Sequence, residues 1–198
     1  MSTVSLSLPE TNAEWRVPSR GRVGMLCLIA AEVGIFSIFV VAYLFYIGKS
    51  VTGPMPGDVL ELPIFISICL ISSSATIHVA VRALSRGKMA AFQAWWFLTI
   101  ALGLIFLIGT AREWHSLIYE HGLTISTNLF GTTYYSLVGL HASHVTIGLI
   151  ALSIVMTFAF SGKLKQEHAE RTEVLSLYWH FVDVVWIVVF TVVYIVGR

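Results

Sequence analysis

The stretch LYWHFVDVVWIVVF, Leu177–Phe190, is apolar enough to lie inside a lipid bilayer, yet it holds His180 and Asp183. The rest of the sequence says what kind of chain carries it. Of 198 residues, 57% are hydrophobic and only 12% charged. With a mean hydropathy of +0.82, too few polar side chains remain to cover a soluble core of this size, so the chain reads as an all-α integral membrane protein. Its net charge of +1 creates no field that would gather nucleic acid. Cys27 and Cys69 fall in apolar runs with no CxxC pair, and are read as small core residues.

Hydrocarbon about 30 Å thick needs about 20 apolar residues per helix. On that ruler the chain divides into a polar N-terminal segment, 1–22, and a membrane domain, 23–198, with five transmembrane helices over about 23–47, 62–84, 91–113, 132–160 and 174–196. The breaks GKSVTGPMPGDVLELP, SRGK, HSLIYEHGLTISTN and SGKLKQEHAERTE gather most of the charge, glycine and proline. Residues 1–22 lack an apolar stretch before a small-residue cleavage site, so the first span is read as a retained anchor. Arg16, Arg20, Arg22, Arg82, Arg86, Lys88, Lys163, Lys165 and Arg171 fall on one side of the membrane, against Lys49, Arg112 and Arg198 on the other. The positive-inside rule then places the N-terminus in the cytoplasm and the C-terminus outside.

A charge at mid-membrane costs about 2.5–3.5 kcal/mol on insertion scales, so every ionisable residue there needs a partner or water. Glu32 lies nine residues past the start of the first span, and Asp183 nine into the fifth, which enters from the same side. His141 and His144 descend from the other side to a similar depth. Each pair three apart, His141 with His144 and His180 with Asp183, shares a helix face, and Trp179, Asp183 and Trp186 continue one stripe. Ala30 with Gly34 and Gly139 with Ser143 are small-xxx-small pairs that let helices approach closely. The reading favoured is a hydrogen-bonded network that locks helices together. Two others stand beside it: His141, His144 and His180 as metal or haem ligands, and Glu32 with Asp183 in a proton relay. Glu113, Trp114, His115 and Tyr119 read as an anchor belt at the outer interface, and Trp95 and Trp96 as its counterpart at the cytoplasmic one.

The stretch LSLYWHFVDVVWIVVFTVVY resembles the last helix of subunit III of the haem-copper terminal oxidases, the cytochrome c and quinol oxidase family. GLHASHVTIG is similar to the signature of that family's penultimate helix, and LIAAEVGIFSIFVVAYLFY to the helix that carries its membrane-buried carboxylate. AREWHSLI followed by LTISTNLFGTTYYSLVGLHASH resembles the loop between. The resemblance implies a subunit with no redox centre of its own. Haems and copper would belong to the catalytic subunit I, with subunits II and IV as further partners, and this chain would hold phospholipid and support proton uptake. Glu32 would be the carboxylate of the lipid cleft, and His141, His144, Trp179, His180 and Asp183 the motif positions that lock the last two helices. The family's long form has seven spans and this chain five, as in bacterial cytochrome c oxidases, quinol oxidases and the subunit III-like proteins of nitric oxide reductases. A multi-pass protein of a bacterial plasma membrane is therefore expected, with an oxygen-reducing oxidase favoured over the nitric oxide branch. A stand-alone transporter or proton channel is the rival from another class.

Overall fold

The computed structural model describes residues 19–197, so Arg16, Arg198 and most of the N-terminal segment lie outside the described residues. Five long helices carry the chain: α1 (Arg20–Tyr46), α3 (Ile64–Ser85), α4 (Met89–Tyr119), α5 (Leu129–Phe160) and α6 (Ala169–Phe190), with a single turn, α2 (Pro56–Val59), between the first two. All five are long and apolar enough to cross a membrane, the fifth counted together with its flanking turns.

The turns follow from local chemistry. Ser19 caps α1 by accepting from the Arg22 N–H, and Asn128 caps α5 by accepting from the Gly131 N–H at 2.8 Å. The Asn128 amide also donates to the carbonyls of Thr52 and Pro54, both at 3.1 Å, which ties the connection after α1 to the start of α5. At the other end of the bundle α3 and α5 close on Gly87 and Gly162, with φ of +70° and +67°. This left-handed step lets the N–H groups of Lys88 and Lys163 reach back to the carbonyls of Ala83 and Phe158.

Four helices run beyond the hydrophobic ruler, α1 by starting at Arg20. α4 continues six residues past Glu113, α5 starts at Leu129, and α6 starts at Ala169 after a tight turn over Gln166–His168. Hydropathy marks where the bilayer could end. The helix itself ends where a residue forces it, and after Glu113 nothing does so before Gly122 with φ +63°. Beyond Phe190, α6 widens into a π-helical turn over Thr191–Val196.

Helices α3, α4, α5 and α6 close a ring in which each packs on the next and α6 returns to α3. α1 lies outside that ring, in the groove between α5 and α6. The ring encloses Leu70, Ile77, Phe92, Trp96, Phe106, Tyr134, Val145, Leu152, Trp179 and Trp186. Trp96 is fully buried and donates its indole N–H to the Leu152 carbonyl at 2.9 Å. It is therefore part of the core rather than an interfacial anchor, whereas its neighbour Trp95 is exposed.

Close approach also falls elsewhere than the small-residue pairs imply. A Cβ on Gly34 would meet nothing within 4 Å, and Ala30 is exposed. Around Trp179 the crowded glycines are Gly103 and Gly148. A Cβ on either would lie 3.0 Å or less from Leu149 or the Trp179 ring. Trp179 fits because α4 and α5 present no side chain at these two points.

Candidate functional site

The ionisable residues of the membrane interior fall into two hydrogen-bonded groups and one isolated ring. In the groove between α1 and α5, Glu32 Oε2 lies 3.0 Å from His144 Nε2. His144 Nδ1 is 2.8 Å from the Leu140 carbonyl oxygen, which can only accept, so Nδ1 carries a hydrogen. A second hydrogen must then lie between Nε2 and the carboxyl, because a bare lone pair facing a carboxylate would repel it. The pair is therefore either imidazolium with carboxylate or imidazole with carboxylic acid. Phe36 packs on the His144 ring with centroids 5.0 Å apart, and Tyr178 of α6 donates to the His144 carbonyl at 3.1 Å. One residue of α5 thus meets both α1 and α6.

The second group joins α3 to α6, which run antiparallel. Trp179 donates its indole N–H to Ser73 Oγ at 2.7 Å, and Trp186 donates to Ser67 Oγ at 3.0 Å. Between these two contacts Ser74 Oγ touches His180 Nδ1 at 2.9 Å and donates to Asp183 Oδ2. The other Asp183 oxygen is buried with no partner among the described residues. A cleft of about 420 Å³ opens beside this group at the basic end of the bundle, lined by residues that include His78, Arg82, Glu173 and His180.

His141 stands apart. It is fully buried, both ring nitrogens lack a hydrogen-bond partner, and the ring stacks on Trp186 at 4.9 Å with Phe106 edge-on at 5.6 Å. His141, His144 and His180 turn to different neighbours, and no group of three His, Cys, Asp or Glu side chains among the described residues is placed to hold a metal ion. Asp183 and Glu32 likewise have separate partners, so the five positions expected to lock the helices do not form one network.

At the end opposite the basic one, Glu113 Oε1 accepts from Tyr194 at 2.8 Å and from Tyr134 at 3.2 Å, which joins α4, α5 and the last turns of the chain. Glu113 also lines a cavity of about 610 Å³ with Asp58, Glu61 and Arg112. Trp114 is half-buried, packed edge-on against Tyr135 at 5.3 Å and lying over Gly139. Glu113 and Trp114 thus pack against their own chain as well as bordering its surface. Sequence reasoning passed over Ser67, Tyr134, Tyr178 and Tyr194. The serines and tryptophans did carry a signal: Ser67 and Ser74 are seven apart on α3, as are Trp179 and Trp186 on α6, which is the repeat of two helices meeting along a seam.

The family profile for cytochrome c oxidase subunit III matches residues 13–198. Cytochrome c oxidase subunit 3 of Corynebacterium diphtheriae is 34% identical over 197 residues, covering 96% of this chain and 95% of the relative. That of Alkalihalophilus pseudofirmus is 33% identical over 177 residues, covering 88% and 86%. That of Synechocystis is 40% identical over 182 residues, covering 90% and 76%. The chain belongs to the cytochrome c oxidase subunit III family.

Proposed function

We propose that the chain is the non-redox subunit III of a bacterial oxygen-reducing haem-copper oxidase. It would lie in the plasma membrane with the N-terminus in the cytoplasm and the C-terminus outside. In this reading it binds the flank of the catalytic subunit I within a complex that also contains subunits II and IV, retains phospholipid, and supports proton uptake by its neighbour. Cytochrome c is the favoured electron donor, ahead of a quinol. The observation that carries the reading is the extent of the likeness: the family match runs from residue 13 to the last residue, and the Corynebacterium relative is matched over 95% of its own length.

The interior chemistry supports an accessory role. Its polar side chains contact one another across helix seams, and the three histidines that could have ligated an iron or copper have unrelated neighbours. α1 supports the lipid role. Its outward face presents Val33, Ile35, Ile38 and Val41, which suit acyl chains, and Glu32 lies at the edge of that face.

The test is affinity purification of this chain from native membranes in mild detergent, followed by a reduced-minus-oxidised spectrum and an oxygen-uptake assay. Haem bands with oxygen consumption, both lost when this chain is stripped of its partners, are expected. The donor accepted then separates cytochrome c from quinol oxidation. Nitric oxide reduction without oxygen uptake would move the chain to the nitric oxide branch. A lone colourless chain that moves protons when reconstituted would overturn the accessory reading.

A further inference from the structure

The cleft between α3 and α6 runs inward from the basic end of the bundle. Arg82, Glu170 and Glu173 lie toward its mouth, and His78, Ser176 and His180 further along. Glu173 is paired with Arg22 of α1 at 2.5 Å. His180 is about 16 Å along α6 from Ala169, at 1.5 Å per residue. From there a continuous hydrogen-bonded path leads to a carboxyl group: His180 Nδ1, Ser74 Oγ, Asp183 Oδ2. Asp183 is only 3% exposed, and its second oxygen has neither donor nor cation in reach among the described residues. The ionisable groups facing this site are His78 and Arg82 from α3 and Glu170, Glu173 and His180 from α6. The α5 histidines are engaged elsewhere, His144 with Glu32 and His141 against Trp186.

We infer that this cleft is a blind proton inlet: water in it exchanges one proton with Asp183 through His180 and Ser74, and the path stops there. A serine hydroxyl has one hydrogen and can accept another, so it can pass a proton on while remaining neutral. Imidazolium at His180 gives its Nδ1 hydrogen to Ser74 Oγ as the Ser74 hydroxyl hydrogen moves to Asp183 Oδ2. One N–H bond breaks, one O–H bond forms at the carboxylate, and neutral imidazole and carboxylic acid result. Hydronium in the cleft supplies the proton that charges His180, and the reverse sequence, from Asp183 through Ser74 to neutral His180 and on to cleft water, empties the site.

The inlet is blind because of what lies beyond it. The next polar contact along the seam is Trp186 donating to Ser67, whose own hydroxyl donates to the Pro63 carbonyl at 2.7 Å. An indole N–H donates but cannot accept, so it cannot relay a proton. This inference goes beyond the accessory reading and does not depend on it, since the path lies within one chain.

The chain has only two aspartates, Asp58 and Asp183. The full chain, labelled with carboxyl-13C aspartate and held in phospholipid vesicles, isolates their carboxyl bands in an infrared pH-jump experiment. An aspartic acid C=O band that follows pH, persists in Asp58→Asn and disappears in Asp183→Asn is expected. Ser74→Ala should slow its response by about tenfold or more, as loss of a positioned proton carrier does. Ser74→Thr, which keeps the hydroxyl, should restore the rate, and Ser67→Ala should leave it unchanged. A labelled band at Asp183 that ignores pH in the unaltered chain overturns the inlet, as does a response equally fast in Ser74→Ala, or one slowed as much by Ser67→Ala.

Discussion

Along the α3–α6 seam, two indoles donate to two serines, a third serine joins a histidine to an aspartate, and Trp179 is clamped between glycines of α4 and α5. Along the α1 groove, one carboxyl–imidazole contact, the exposed Arg22–Glu173 pair and a few aromatic edges hold a 27-residue helix that buries only Phe36 and Tyr43. Both seams contain charge-capable residues at similar depth, but they use them differently. In the first, polar groups ride on tight packing and set its register. In the second, a polar pair stands in for packing that is absent. A buried carboxylate therefore says little about how firmly its helix is held, and the small residues beside it say more.

That contrast can be broken by substitution. Trp179→Ala should have the largest effect, about 3–5 kcal/mol, because it empties a site walled on three helices. Thermal unfolding in detergent, followed by circular dichroism, should show the whole ring losing stability together. Gly148→Val should cost about 1–3 kcal/mol in the same assay, because its Cβ alone would fall 2.8 Å from the Trp179 ring. An unfolding midpoint equal to that of the unaltered chain would mean the ring is looser than the structure shows.

Glu32→Leu should cost about 0.6–1.7 kcal/mol, between the average and the maximum found for single hydrogen bonds between membrane helices. Its signature should be local: protease cleavage and cysteine labelling along α1 should rise while the ring's unfolding is nearly unchanged. Glu32→Gln should be milder still, within about 0.5 kcal/mol, since the amide can still donate to His144 Nε2. If Glu32→Gln instead released the subunit from its complex while Asp183→Asn did not, as judged by copurification, the ranking of the two seams would be reversed.

The number of spans was legible because hydropathy is a property of residues counted one by one, and bilayer thickness sets the count. Pairing was less legible because it depends on angle. His141 and His144 are three residues apart, which leaves about 60° between them around a helix of 3.6 residues per turn. That angle is enough to send His144 to α1 and His141 to Trp186 on the other side. The same spacing in His180 and Asp183 brings both to Ser74, because a single hydroxyl lies between them. Spacing identified a shared face in both cases, but only the neighbouring helix decides how many partners that face meets. Trp96 makes the same point. Its position near the end of an apolar run suits an interface, yet an available carbonyl on α5 draws it inside.

The Glu32–His144 contact also has a consequence in time. Its two ends are separated by 112 residues of chain. At a synthesis rate of about 5–20 residues per second, α5 follows Glu32 into the membrane about 6–22 s later. For that interval α1 carries a carboxyl group whose partner has not yet been made. Its docking groove does not exist until α6 is also in place, so a span made well before α5 and α6 is held only after both.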